Sequence, residues 1–290
     1  RFPGAQPVSF MRQHMTNLLR ENYYVGLKVD GVRVLVFATL DPVEGKPKLY
    51  FIDRKNSHRV LMLFDLMFFN ARDYRQKNFD KRNGAMREYV LVPHNRHLDK
   101  LPPDEQRKWR ERQPFQITGK KLFTPYHIKD AFEHPSNLSM KMDGLIFTRA
   151  SAPYTTGTNE AMLKWKPVEE NSVDFEVRPL SENPDEHIFE LYVTQMARKK
   201  IFISVLTLRP EDQSTWSAEK LKTGTILECW YDLKEPDPDR RWRPMRVRED
   251  KDTSNHISTY TNVMKSMIES ISRDCLLENQ DRIRDNWKAR

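Results

Sequence analysis

Cysteine is scarce in this chain, and the scarcity excludes two kinds of architecture. Only Cys229 and Cys275 occur among the 290 residues. Two cysteines cannot build a disulfide framework, and they cannot supply a cysteine-based zinc site. The composition therefore predicts a protein of a reducing compartment.

Long apolar runs are missing as well. No stretch reaches the length of about 18 apolar residues that a membrane-spanning helix needs, so we expect no membrane association. The opening residues Arg1-Phe2-Pro3-Gly4 resemble neither a signal peptide nor a transit peptide. They also lack an initiator Met, which predicts that this chain is part of a longer protein.

Several common catalytic motifs are absent from the sequence. There is no G-x-x-x-x-G-K-[ST] phosphate loop, no dinucleotide-binding G-x-G-x-x-G, no G-x-S-x-G elbow and no H-E-x-x-H zinc motif. His94 and His97 have no cysteine or carboxylate frame around them, so we interpret them as surface histidines.

Length and charge indicate the number of domains and the class of binding partner. A chain of 290 residues suits two domains, and 38% hydrophobic residues suffice for folded cores. The net charge is +8, from 49 Lys plus Arg against 41 Asp plus Glu. Such an excess favours polyanionic partners, namely nucleotides, RNA or phosphopeptides. An ordinary solvated basic surface is the alternative that charge alone leaves open.

Residue periodicity predicts an α+β fold in the first part of the chain. Apolar residues at helical spacing predict a helix over 10–21. Alternation from Tyr23 to Phe37 predicts two strands joined by a tight turn. Further strands are predicted at 48–53, 60–69, 142–149 and 161–166, with charge-rich helices and loops over 71–114.

The pattern changes near Arg178. Short alternating strands separated by turn-rich stretches then predict a small closed β-domain, with strands at His187–Val193, Ile201–Leu208 and Thr225–Tyr231. Near the end, Val263, Met267, Ile271 and Cys275 recur every four residues and predict one amphipathic helix.

Three short motifs point to a nucleotide site. In chain order they are Lys28-Val29-Asp30-Gly31-Val32-Arg33, Asp143-Gly144-Leu145-Ile146 and Leu163-Lys164-Trp165-Lys166. A lone Lys-x-Asp-Gly is more often a β-turn, and a lone Lys-Trp-Lys is more often a half-exposed strand. Their conjunction suggests a lysine that attacks the α-phosphate of a nucleoside triphosphate and carries the nucleoside monophosphate covalently.

The chemistry needs a particular setting for Lys28. A free lysine has a pKa of about 10.4 and is a poor nucleophile at neutral pH. Cations such as Arg33 and a desolvating pocket lower such a pKa, and a carboxylate can orient the amine. Lys164 and Lys166 alternate on a predicted strand and share a face, where two ammonium groups suit a triphosphate with Mg²⁺.

These motifs, with others, resemble the guanylyltransferase part of eukaryotic mRNA capping enzymes, the fungal ones above all. The resemblance covers nearly the whole chain. Its Arg-x-Asp-Lys motif at 248–251 is typical of capping enzymes more than of DNA ligases. The further matching segments are Phe2–Ser9, Tyr50–Arg54, Leu63–Leu66, Trp242–Lys251 and Asn255.

The resemblance implies a fold and an activity. It implies a nucleotidyltransferase domain with antiparallel sheets over residues 1–177, then an OB-fold β-barrel domain with a terminal helix over 178–290. The cleft between them would close for the first step and open for RNA. The implied activity is mRNA guanylyltransferase: GTP plus a 5′-diphosphate RNA gives capped RNA and pyrophosphate. The implied location is the nucleus.

The resemblance also implies roles for individual residues. Lys28 would be the nucleophile, and Asp143 a contact to Mg²⁺ or Mn²⁺. Phe64 would stack on guanine, although a plain core role is its alternative. The other implied GTP contacts are Arg33 and Arg54 to ribose and phosphate, Ile146 to the base, Lys120 or Lys121 to the guanine edge, Lys164 and Lys166 to the α-phosphate, and Arg246, Asp250 and Lys251 to the β- and γ-phosphates.

The chain departs from the family at one place. Family members have an Asp-Gly-Glu strand between the Asp-Arg strand and the Phe-Asp strand. Here the segment Lys55–Met62 lies there and contains no acid. Two explanations stay open: the protein lacks the ribose-contacting Glu, or the sequence omits a segment that the protein has.

Partners and rival functions complete the expectations. The family implies RNA, an RNA 5′-triphosphatase as a separate subunit or fused domain, and the phosphorylated C-terminal tail of RNA polymerase II. Cations and tyrosines between Arg72 and Arg112 are the expected tail dock, with plain solvated helix surface as the alternative. The rival functions are an ATP-dependent polynucleotide ligase and a non-catalytic scaffold that binds the polymerase tail.

Overall fold

The chain folds into two compact units. The computed structural model describes residues 4–29, 33–40, 45–52, 60–113, 115–134, 142–180, 187–216 and 220–290. The first unit contains Arg1–Trp165 together with Arg273–Arg290, and the second contains Lys166–Ser272.

The first unit is built on a five-stranded sheet. Its strand order is β1-β11-β10-β2-β9, and the pairs β3-β4, β5-β8 and β6-β7 form three small sheets. The strands are β1 (Ala5–Ser9), β2 (Tyr23–Val29), β3 (Leu35–Leu40), β4 (Pro47–Ile52), β5 (Val60–Leu63), β6 (Phe68–Phe69), β7 (Arg72–Asp73), β8 (Gln116–Gly119), β9 (Leu122–Phe123), β10 (Met142–Arg149) and β11 (Gly157–Trp165).

Helices cover the first unit, and two of them come from the end of the chain. A π-turn, Arg87–Leu91, joins α2 to α3. Trp287 of the last helix packs edge-on against Tyr24 and Tyr126, at ring centroid distances of 5.9 and 5.8 Å. The helices of the first unit are α1 (Met15–Arg20), α2 (Phe79–Met86), α3 (Val92–Asp99), α4 (Pro103–Arg112), α5 (Ile128–Glu133), α8 (Arg273–Glu278) and α9 (Gln280–Lys288), and those of the second are α6 (Pro210–Gln213) and α7 (Ile257–Ile268).

The second unit has a sheet of its own. Phe175, Leu191 and Trp242 are fully buried in its core, and α7 adds Met267 to that core. The strand order is β14-β13-β12-β15-β16, where β12 is Ser172–Pro179, β13 is Ile188–Thr194, β14 is Lys200–Thr207, β15 is Ile226–Tyr231 and β16 is Trp242–Val247.

Several predicted elements are confirmed, and one pairing is wrong. The helix within 10–21 and the strands at 142–149, 187–193 and 201–208 form with small shifts at their ends. The strands β2 and β3 do not form the expected hairpin. Instead, β2 lies between β10 and β9, and β3 pairs with β4, so long-range pairing overrides the local turn signal.

The domain boundaries differ from the prediction of 1–177 and 178–290. A boundary at 178 would cut β12, which is the central strand of the second sheet. The terminal helix also divides: α7 ends at Ile268 in the second unit, while Cys275 lies in α8 of the first. The periodic stripe spans both helices, so periodicity did not reveal the break.

The expected barrel is not seen as a closed sheet. Within the described parts of the second unit, no hydrogen-bonded ladder joins the edge strands β14 and β16. The observed architecture is a mixed α and β protein with largely antiparallel sheets. No helix among the described residues is both long and apolar enough to cross a membrane.

Candidate active site

The central sheet of the first unit has one apolar and one functional face. Tyr23, Val25 and Phe147 are buried on the apolar face. Residues paired across antiparallel strands share a face. The ladder aligns Ile146 of β10 with Gly26 of β2 on one side and with Lys164 of β11 on the other. The motif residues of three strands therefore meet on the face opposite the core.

Lys28 and Asp143 form an ion pair on this face. Lys28 lies opposite Gly144, and the register of the ladder shifts between Met142 and Gly144. Gly144 adopts φ 140°, which favours glycine. This irregularity brings the Asp143 carboxylate to the Lys28 ammonium, which donates a hydrogen bond to it. Asp143 is buried, whereas Lys28 keeps a quarter of its side-chain surface exposed.

Phe64 lies between two further cations. The Arg33 guanidinium carbon lies 5.0 Å from the Phe64 ring centroid, and Lys120 Nζ lies 5.8 Å from it. The parallel pairing of β5 with β8 and a 2.7 Å hydrogen bond from the Lys120 amide to the Leu63 carbonyl hold these segments together. Arg33 also donates to the Ala5 carbonyl.

Burial and mutual repulsion alter this cationic cluster. Desolvation, and after it the nearby charges of Arg33 and Lys28, together lower the pKa of Lys120 to about 8. Desolvation also lowers the pKa of Arg33. The stem of Lys120 lies over Gly26, where an added Cβ would be 2.8 Å from Lys120 Cε. Glycine at position 26 thus leaves room for the lysine.

The structure separates the two lysines between which the resemblance could not choose. Lys120 faces Phe64, Arg33 and Lys28. Lys121 is exposed, and its Nζ lies 5.0 Å from the ring of Phe123. Only Lys120 joins the cluster around Phe64.

Of the other residues predicted to contact the nucleotide or to form the first motif, the structure describes some and not others. Lys164 lies in β11, but the strand ends at Trp165, so Lys166 begins the second unit rather than continuing the alternation. Arg54, Asp30 and Gly31 lie outside the described residues.

The predicted residues of the second unit form an ion-pair network. Its centre is Asp174, a buried residue that accepts hydrogen bonds from Arg248 at 3.0 Å and from Lys251. Arg248 also pairs with Asp250 at 2.9 Å. Glu228 joins this network: Arg248 lies 3.6 Å from it, and Arg246 Nε donates to it at 2.6 Å.

The pKa shifts in this network follow the pairing. Hydrogen bonding to Arg248 lowers the pKa of Asp250, and the same contact raises the pKa of Arg248. Burial would raise the pKa of Glu228, but hydrogen bonds from Ser172 and Arg246 lower it overall.

Asp143 offers an oxygen donor for a divalent metal. No cluster of three or more His, Cys, Asp or Glu side chains suited to a metal occurs in the described part of the chain. Mg²⁺ is commonly held by one or two carboxylates together with substrate phosphates. A single carboxylate beside Lys28 fits that mode of binding.

Family models match almost the entire chain. The model for the catalytic domain of mRNA capping enzyme matches residues 1–62 and 55–168, and the model for its C-terminal domain matches residues 170–277.

The chain belongs to the mRNA capping enzyme family.

Individual relatives agree with this assignment. The chain is 29% identical to the mRNA-capping enzyme subunit alpha of Neurospora crassa, over all of the chain and 87% of the relative. It is 30% identical to that of Schizosaccharomyces pombe, over all of the chain and 82% of the relative. Among solved structures, the ligase domain of M. tuberculosis LigD aligns with 86% of the chain and 94% of its own, at 12% identity and a TM-score of 0.33. That score carries no conclusion.

The catalytic-domain match of this capping-enzyme chain consists of two segments that overlap at residues 55–62. This is the segment without the family's Asp-Gly-Glu strand, and its residues 55–59 are outside the described residues.

Sequence reasoning missed a buried arginine next to the site. Arg82 is 2% exposed and binds both oxygens of Asp65, at 2.8 and 3.0 Å. It also donates to the carbonyls of Lys77 and Ala152, at 2.6 and 2.9 Å. Asp65 directly follows Phe64, so Arg82 anchors the segment that carries the ring. Its position in a charge-rich stretch concealed this role.

Proposed function

We propose that this chain is an mRNA guanylyltransferase in which Lys28 forms a covalent adduct with GMP. One observation carries the proposal: Lys28 is held by Asp143 on the polar face of the sheet, with the cations Arg33 and Lys120 nearby. A nucleophilic amine, an orienting carboxylate and an excess of positive charge are what attack on a triphosphate requires.

The reaction has two balanced steps. Lys28 Nζ transfers a proton, for which Asp143 is the adjacent acceptor, and its lone pair forms a bond to the α-phosphorus. The bond to the bridging oxygen breaks, and pyrophosphate leaves. A terminal β-phosphate oxygen of the RNA then attacks the same phosphorus, the P–N bond breaks, and Lys28 recovers its proton.

The surrounding side chains bind and orient the nucleotide in this proposal. Phe64 offers a ring face to guanine, and Ile146 borders the base from the sheet. Lys120 donates to the guanine edge, while Arg33 binds ribose and phosphate. The proposed phosphate contacts are Lys164, Lys166, Arg54, Arg246, Asp250 and Lys251. Asp143 would hold Mg²⁺ or Mn²⁺, which when bound stabilises negative charge on the phosphates.

Labelling with α-³²P-GTP and Mg²⁺ tests the proposal. The wild-type chain should form a labelled band with GTP and not with ATP. Lys28→Ala should abolish the band, and Lys28→Arg should also abolish it because a guanidinium does not deprotonate in proteins. Lys121→Ala is the matched control and should label normally.

Two results would contradict the assignment. A band that persists in Lys28→Arg would show that another residue is the nucleophile. Labelling by ATP in place of GTP would favour a polynucleotide ligase, and no labelling with either nucleotide would favour a scaffold.

The printed names of the relatives extend the proposal to partners. Because those relatives are called subunit alpha, we propose a nuclear complex with an RNA 5′-triphosphatase as the second subunit and 5′-diphosphate RNA as substrate. We also propose a dock for the phosphorylated polymerase tail within Arg72–Arg112. There Tyr89 stacks on Phe69 at 5.0 Å and is 37% exposed, and Arg75 lies over the exposed ring of Phe68.

Calorimetry with phosphorylated and unphosphorylated tail peptides tests that dock. Only the phosphorylated peptide should bind, and charge reversal at Arg72 and Arg75 should weaken it. Equal or undetectable binding of both peptides would contradict the proposal that the phosphorylated polymerase tail is a partner.

A further inference from the structure

The solvent face of the second sheet carries a row of π-surfaces across three neighbouring strands. The Arg178 guanidinium of β12 lies 4.3 Å from the ring centroid of Tyr192 on β13. That ring meets Phe202 of β14 edge-on, with centroids 5.8 Å apart. The ladder pairs Tyr192 with Phe202, so both rings are on one face. We call Arg178, Tyr192 and Phe202 the aromatic row.

The aromatic row is open to solvent although the core lies directly beneath it. Leu191 and Val193, which flank Tyr192 in the strand, are fully buried on the other face. Phe202 is 50% exposed, and nearby Met196 is 80% exposed. Exposed apolar side chains that adjoin one another, as Tyr192 and Phe202 do, mark interaction sites, whereas singly exposed ones do not.

Positive charge gathers at one end of the row. Between Leu191 and Leu208 the chain has three cations, Arg198, Lys199 and Lys200, and no acid. Arg198 and Lys199 are exposed, and neither has an ion-pair partner among the described residues. Arg198 adopts φ 61°, a conformation uncommon outside glycine, in the turn that presents these side chains.

The two acids beside Tyr192 are offset in number by two cations, Arg178 and Lys200. Glu176 receives Lys200 at 2.5 Å and Arg178 at 2.9 Å, and these hydrogen bonds lower its pKa against the effect of burial. Glu190 accepts the Tyr192 hydroxyl at 2.8 Å. A polyanion approaching the row therefore meets Arg198 and Lys199 as positive charges in excess of this balanced group.

We propose that this face binds single-stranded RNA, with a base stacked on Phe202 and phosphates on Arg198 and Lys199. Exposed rings interleaved with cations are the combination that holds single strands, because every base has a π-face and every nucleotide a charge. The inference rests on the proposed function for the identity of the strand, which is the RNA that accepts GMP. It adds a surface remote in sequence from Lys28.

Fluorescence anisotropy with the full chain and a labelled single-stranded RNA of about 12 nucleotides tests this surface. Phe202→Ala should weaken binding at least about fivefold, and Phe202→Trp should restore it. The double variant Arg198→Gln and Lys199→Gln should make the negative slope of log K against log salt less steep by about 1.4, because two phosphate contacts are lost. The aromatic change should leave that slope unaltered.

Matched controls come from the same unit. Leu233→Ala truncates another half-exposed apolar side chain, and Lys222→Gln with Lys234→Gln removes two exposed charges elsewhere. Both should bind RNA as the wild type does. The proposal would be overturned if the test variants and the control variants changed the RNA affinity and the salt slope by the same amount. Loss of phosphopeptide binding in the test variants with RNA binding intact would also overturn it.

GMP labelling separates this inference from the proposed function. Phe202→Ala should still form the labelled adduct, because it changes RNA binding and not attack on GTP. A wild type that labels but binds RNA independently of Phe202 contradicts the surface alone. A wild type that does not label contradicts the proposed function, while Phe202-dependent RNA binding would still uphold the surface.

Discussion

The two ion clusters of this chain differ in how their cations are matched by carboxylates. In the first unit Lys28, Arg33 and Lys120 lie near one another, and Asp143 pairs with Lys28. Partial burial there lowers the pKa of Lys120 to about 8.

In the ion-pair network of the second unit, every cation contacts a carboxylate. Asp174 holds Arg248 and Lys251, and Glu228 holds Arg246. The contrast teaches that desolvated cations in excess make a site ready for an anionic ligand, whereas a matched network stabilises the fold by itself. Removing a charge should therefore lower the free energy of unfolding at the matched network and raise it at the cluster of excess cations.

The largest expected effect follows removal of the centre of the matched network. Asp174→Ala leaves Arg248 and Lys251 without their buried partner, and breaking a buried ion pair costs about 3–5 kcal/mol. Urea unfolding should show this loss of unfolding free energy. An unchanged midpoint would mean that the network contributes nothing to stability, and the comparison between the clusters would fail.

A smaller loss is expected from the paired arginine within the first unit. Arg82→Lys keeps the charge but loses the two-oxygen contact with Asp65 and its contacts to carbonyls, at a cost of about 2 kcal/mol. Because Asp65 follows Phe64, the KM for GTP in the labelling reaction should rise as well. A stability loss with an unaltered KM would restrict Arg82 to a purely structural role.

Stability should respond in the opposite direction to a change at Lys120 in the first cluster. Lys120 has a pKa of about 8 in the folded chain against 10.5 as its ordinary value. The unfolded chain thus binds more protons between these values, so Lys120 lowers stability at pH 7 and this cost disappears as pH rises through that window. Lys120→Met should be more stable than the wild type at pH 7, with a gain that shrinks from pH 8 towards 10.5.

The same variant should bind GTP about tenfold more weakly, because a hydrogen bond from a charged donor is lost. Unfolding at several pH values and calorimetry with GTP measure the two effects. Lys121→Met is the matched control and should change neither quantity. A Lys120→Met chain that is less stable at pH 7 would contradict the account of the first cluster.

The smallest effect is expected at the exposed edge of the matched network. Asp250 pairs with Arg248, but 64% of its side-chain surface is exposed. Water and salt screen such pairs, so Asp250→Ala should leave the unfolding midpoint within error of the wild type. Its GMP labelling should fall if the proposed phosphate contact is correct. A stability loss comparable to that of Asp174→Ala would show that burial does not decide how much each of the two carboxylates contributes to stability.

The grouping of the motif residues on one face of the first sheet could be predicted from local sequence. Strand alternation and motif order suggested that Lys28, Ile146 and Lys164 act together, and the ladder places them on one face. The pairing of Lys28 with Asp143 needed more, because strict alternation would not bring them together. A shift in register at Gly144 does so, and such irregularities leave little trace in a single sequence.

Sequence by itself determined the mixed α and β class and most strands, and it led to Lys28 as the proposed nucleophile, because these depend on periodicity and on residue type at short range. Tertiary structure alone decided the choice of Lys120 over Lys121, the partners of β2, the division of the last helices and the roles of Asp174 and Arg82. Each of these depends on contacts between residues far apart in the chain. Asp174 and Arg82 are centres of ion pairs because they are buried, and their burial cannot be read from the residues next to them in the sequence.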